Sequence, residues 1–206
     1  MFDPRGSLRW KPFIEQVVDE FLTAMAPHGT AEYVESFALP LPVRVIRHIM
    51  GFPGDDLLSL LLEARFADER PLSDHEIITI VDHLYIGGNE TTTFALTSAL
   101  WLLLREPGLY EHIRYGAANR DERMFPDPDR VDLERRNVRR HMAFSLGEHH
   151  CPGSGLSRLE QQVALNAVLD RLPDLRLAPQ RNDVRHLPGF VLRALERLHL
   201  EWGPTA

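Results

Sequence analysis

The chain's single cysteine, Cys151, lies in the stretch Phe144-Ser145-Leu146-Gly147-Glu148-His149-His150-Cys151-Pro152-Gly153. As a thiolate it would be a soft metal ligand. Gly147 and Gly153 flank it with residues that accept positive φ and carry no Cβ, so backbone can turn tightly and approach a flat ligand. Downstream, Leu156, Leu159, Val163, Ala164, Leu165, Val168, Leu169 and Leu172 recur at helical spacing, which places Cys151 just before or at a helix N-terminus. Such a terminus carries partial positive charge and spare N–H groups, which favour thiolate over thiol. Taken alone, a lone cysteine is most often a small buried hydrophobe.

A second candidate is Gly87-Gly88-Asn89-Glu90-Thr91-Thr92, in the middle of a proline-free stretch from Ile77 to about Arg105 that is apolar on almost every face. That stretch predicts a long helix buried through a domain. At 1.5 Å per residue its ~30 residues would span roughly 45 Å. Two helix-weakening glycines, a carboxylate and two hydroxyls stand where propensity asks for Leu or Ala. The glycines would thin the helix so that something flat can lie against it, and Glu90 with Thr91 could pass protons into an otherwise dry cavity. A threonine hydroxyl bonding back to the preceding turn is the competing structural explanation.

The cysteine stretch resembles the haem-ligand loop of the cytochromes P450, matching it at Phe144, Gly147, Cys151 and Gly153, with His149 where that family usually contacts a haem propionate. The resemblance implies that Cys151 is the proximal iron ligand of haem b. Pro152 and Ser157 replace the commoner Leu and Ala. The glycine cluster resembles the family's distal-helix signature, with Gly87 and Gly88 in register and Glu90 and Thr91 as the acid–alcohol pair that manages protons during dioxygen activation. Ala118-Asn119-Arg120-Asp121 and Phe125-Pro126-Asp127-Pro128 resemble the family's meander, and residues Phe190 to Leu200 its C-terminal strand region. These matches are collinear with the family.

The fold so implied is mainly α: a partial P450 fold in which a long central helix and the Cys-loop helix sandwich haem, with minor β structure near the C-terminus. Residues 1–206 read as a single domain, incomplete, with skips near Pro53–Leu57 and Arg114–Tyr115 and the family's early helices absent. Separated Cα atoms at both skips would mark a larger protein with pieces missing, whereas continuous peptide bonds would favour a haem-binding but inactive remnant. No Glu-x-x-Arg pair follows Arg114 in the family's place. The implied activity is monooxygenation: one atom of dioxygen enters a small organic substrate by hydroxylation or epoxidation, with electrons from a ferredoxin-type donor and its reductase. A competing reading is a non-catalytic helical protein binding zinc through His141, His149, His150 and Cys151, although their spacing fits no standard zinc pattern.

Composition agrees with a cytoplasmic globular protein. The net charge of −7 argues against general nucleic-acid binding. One cysteine excludes an internal disulfide framework. No apolar run reaches the ~18 residues of a membrane span, and Met1 to Gly6 lacks a signal-peptide layout. Around the two chemical segments, Phe13, Ile14, Val17, Val18, Phe21, Leu22 and Met25 predict an amphipathic helix ended by Pro27 and Gly29. Pro40 and Pro42 should interrupt any helix, with a restart from Val43 to Met50 and another helix from Leu57 to Phe66. Ser73 with Glu76 forms a capping-box pattern at the start of the long helix.

Overall fold

A computed structural model describes residues 4–51, 57–105, 124–128, 130, 132, 134–141, 143–145, 147–183, 185 and 195–203. Both expected skips, the Ala118–Asp121 segment and residues 190–194 of the Phe190–Leu200 segment lie outside the described residues.

After a short helix, α1 (Pro4–Ser7), α2 (Lys11–Met25) buries Ile14, Val17, Val18, Leu22 and Met25 at the predicted spacing. Gly29, at φ +67°, turns the chain out of it as only glycine does cheaply. β1 (Thr30–Glu32) follows, then a π-helical turn at Val34–Ala38, then α3 (Pro40–Met50). The two prolines start this helix instead of interrupting it. Pro40 occupies its first position and Pro42 its first turn, where the missing N–H groups would have had no intrahelical acceptor. α3 buries Leu41, Val45, Ile46 and Ile49. α4 (Leu57–Glu63) is shorter than expected and buries only Leu57.

The long helix, α5 (Asp74–Arg105), has 32 residues. Its capping box is fully formed: Glu76 accepts from the Ser73 N–H at 2.9 Å and from the Ser73 hydroxyl at 2.8 Å, and the Glu76 N–H donates to Ser73 Oγ at 3.3 Å. Arg70 adds a two-pronged contact at 2.9 and 3.0 Å, and these donors, the Arg70 bond foremost, hold the Glu76 carboxyl down at about 2. α5 is not buried throughout. Leu96, Leu100 and Leu103 are in the core, but Ile78, Tyr85 and Ile86 are 60%, 43% and 63% exposed. The apolar sequence of its first half therefore does not report burial among the described residues.

α6 (Ser154–Arg171) packs against α2 and α5, while α3 packs on α2 and α5, closing a helical core finished by Tyr33, Phe37, Leu172, Leu198 and Leu200. A three-stranded antiparallel sheet, order β1-β3-β2, joins both ends of the chain. β3 (His199–Glu201) lies between β1 and β2 (Arg176–Leu177), with Leu200 opposite Ala31 and Leu177. Glu32 pins this corner by accepting from the N–H groups of Val34, Glu35 and Leu198.

Candidate haem-thiolate site

The cysteine stretch is a backbone-bonded loop ahead of α6. Cys151 N–H donates to Phe144 O at 2.8 Å, His150 N–H to Gly147 O at 3.1 Å, and Ser154 N–H to Cys151 O at 3.2 Å. Ser145 and Gly147 both have positive φ, +58° and +63°. At Gly147 this is the conformational freedom the sequence suggested. At Ser145 it is a strain of order 1 kcal/mol or more that the surrounding bonds must hold. Cys151 is a free, half-buried thiol three residues before α6, where the sequence placed it.

Side chains close the loop's flanks. The Arg158 guanidinium, one turn into α6, lies 4.3 Å from the Phe144 ring centroid. His141 accepts from the Ala143 N–H at its Nδ1, 3.1 Å away, which places its proton on Nε2. Burial, and then the Arg158 charge, hold its imidazolium below the usual histidine range. His149 is exposed, free to meet a ligand's edge. His141, His149, His150 and Cys151 do not converge, and no three metal-ligating side chains do so among the described residues. The zinc reading is overturned on that geometry.

The glycine cluster on α5 divides its work in a way the sequence did not show. A Cβ on Gly88 would stand 2.6 Å from Ile46 Cγ1, so Gly88 is small because α3 packs there, not to receive a flat ligand. A Cβ on Gly87 would meet nothing within 4 Å. Glu90 and Thr91 share that open side: both are exposed, which corrects the expectation of a dry cavity among the described residues. Thr91 donates to Gly87 O at 2.6 Å. Gly88→Ala is expected to destabilise the fold by about 1–3 kcal/mol through overpacking. Gly87→Ala should stabilise the haem-free chain by about 0.5–1 kcal/mol through helix propensity. Urea unfolding of both variants checks the contrast.

Thr92, next to Thr91, points the other way, into the packing between helices. Its Oγ1 donates to Ser157 Oγ at 3.4 Å, and Gln161 Nε2 donates to the same oxygen at 3.0 Å. This long contact ties the acid–alcohol segment of α5 to the first turns of the helix that carries the cysteine loop. The less usual Ser157 is what makes the tie possible.

Glu160 was missed in the sequence. It sits four residues from both Leu156 and Ala164 on the core-facing stripe, so a carboxylate at a core position was the readable signal. It is 2% exposed, its Oε2 has no hydrogen-bond partner among the described residues, and burial pushes its carboxyl up to about 8. At neutral pH it is a neutral acid. An unfolded glutamate ionises near ~4.3, so between there and about pH 8 unfolding releases a proton and stability falls as pH rises, by up to about 1.4 kcal/mol per pH unit. Glu160→Gln should flatten that loss. Melting temperatures from pH 5 to 9 test it, and parallel curves for the two proteins would contradict a neutral Glu160.

The donor set suits haem better than a bare ion. One soft thiolate with no converging partners suits an iron already held within a haem, and Gly87 leaves α5 open on one side. Comparison with known proteins agrees. The sequence profile of the family described as Cytochrome P450 matches residues 52–115 and 112–199. Cytochrome P450 107B1 of Saccharopolyspora erythraea is 29% identical, over 94% of this chain and 70% of its own length. That alignment runs over 286 residues, more than the 206 of this chain, so the relative carries segments inside the matched span that have no counterpart here. The mycinamicin IV hydroxylase/epoxidase of Micromonospora griseorubida is 26% identical, over 98% and 75%. A cytochrome P450 structure from Chondromyces apiculatus superposes with a TM-score of 0.87 at 26% identity, over all of this chain and 74% of that one. With the profile spanning most of the chain, the chain belongs to the cytochrome P450 family, the haem-dependent monooxygenases.

Proposed function

We propose that this monooxygenase holds the iron of haem b through Cys151 and manages protons through Glu90 and Thr91. The single observation carrying this reading is the bonded loop Phe144–Gly153, which presents the only thiol directly ahead of α6. Haem, when bound, supplies dioxygen activation and transfer of one oxygen atom to the substrate. A non-covalent haem b is supported by the lone cysteine, since covalent c-type attachment uses a C-x-x-C-H pair. The chain's residues hold and surround that group. Phe144, Gly147 and Gly153 shape the loop, His149 is available to a propionate, and Gly87 leaves room on α5 where Gly88 packs against α3.

Glu90 and Thr91 lie on that open side with acid and hydroxyl available for proton transfer. Electrons would come from a ferredoxin-type donor. Arg136, Arg139 and Arg140, exposed just ahead of the cysteine loop, offer the positive surface that an acidic partner would meet. The substrate is read as a small organic molecule of secondary metabolism, hydroxylated or epoxidised, in line with the name of the Micromonospora relative. No helix of the described residues is long and apolar enough to cross a membrane. A reduced, CO-treated absorption spectrum tests the assignment: the red-shifted Soret band of thiolate-ligated haem is expected, and an ordinary haem band would contradict it.

A further inference from the structure

We infer that His150 is a positioning residue that braces the thiol loop from its side-chain end. Its Nδ1 lies 3.3 Å from Ser145 O and its Nε2 3.2 Å from Ser154 Oγ. A carbonyl oxygen only accepts, so Nδ1 carries the proton and, in the neutral ring, the Ser154 hydroxyl donates to Nε2. One imidazole therefore bridges the start of the loop to the first residue of α6, spanning the chain that ends in Cys151. The residue it grips is the strained one. Ser145 has φ +58°, a conformation that a non-glycine residue keeps only where other contacts determine it. The backbone bond Cys151 N–H to Phe144 O closes the same loop one residue earlier, so the brace and the backbone bond act in parallel. Both His149 and His150 are exposed, but only His150 makes such a bridge among the described residues.

This inference rests on the proposed haem-thiolate reading only for its second readout. In the haem-free chain, loss of two hydrogen bonds should let the loop open about tenfold more often. His150→Ala should therefore raise the rate of Cys151 alkylation by iodoacetamide about tenfold, while the urea midpoint of the helical core stays in place. His150→Asn, whose amide can still donate toward Ser145 O, should recover part of the protection, and Ser154→Ala should lose part of it. In the haem-loaded protein, His150→Ala should raise the share of the CO complex absorbing as thiol-ligated haem several-fold. An alkylation rate within twofold of wild type in His150→Ala overturns the brace, whatever the spectrum of the wild type. If His150→Ala does not fold, His150→Asn and Ser154→Ala decide, since each loses one of the two bonds, and wild-type alkylation rates in both would overturn the role of His150.

Discussion

Replacing Cys151 with serine is expected to abolish the red-shifted CO band completely and to reduce substrate oxidation to background. The sequence contains no other cysteine, so no second thiolate can take its place. Serine preserves the backbone bonds to Phe144 and Ser154 and changes one atom, so the loop and the helical core should survive. Any haem retained would then lack the electron-rich sulfur ligand on which the family's oxygen chemistry depends. Haem content and the reduced CO spectrum are measured on the same preparation. A variant that kept the thiolate-type band would remove Cys151 from the site.

The local features of the fold were legible because they are encoded within a few residues. Ser73 and Glu76 announced the α5 start, and both reciprocal bonds are present. The stripe from Ile14 to Met25 announced the buried face of α2. Features that depend on a partner distant in sequence were not legible. Nothing near Gly88 shows that Ile46 will sit 2.6 Å from where its Cβ would be, because that contact is made by α3, some forty residues away. Pro40 and Pro42 are helix breakers in an interior and compatible with a first turn, and sequence does not say which position they hold. Hydropathy likewise reports what a residue would prefer, not what covers it, so the apolar first half of α5 gave no warning that Ile78 and Ile86 are exposed. Of the candidate site, the tight glycine turn and the place of Cys151 just ahead of a helix were readable from residue type and spacing, while Glu90 and Thr91 stood out only as polar residues in an apolar stretch. The cross-helix tie through Ser157 was not readable, since it needs the register of α5 against α6.

Thr91→Ala is expected to leave haem content and the CO spectrum unchanged while uncoupling electron consumption from product by about tenfold or more, with peroxide as the accompanying product. Back-bonding alone does not mark Thr91 as functional. Thr93 donates to Asn89 O at 2.9 Å and Thr97 to Thr93 O at 2.8 Å in the same manner, and both are buried structural hydroxyls. What sets Thr91 apart is its place: it is exposed on the Gly87 side of α5, beside Glu90, while its neighbour Thr92 is anchored toward the cysteine-bearing helix. A hydroxyl there can pass a proton at its Oγ1, with Gly87 O as the alternative acceptor that orients it. Thr93→Ala is the matched control. It removes a buried hydrogen bond and should cost about 0.5–1.5 kcal/mol of stability without changing the ratio of product to electrons. Equal coupling in Thr91→Ala and wild type, or the same uncoupling in both alanine variants, would take Thr91 out of proton delivery and leave its hydroxyl a helix back-bond like the other two.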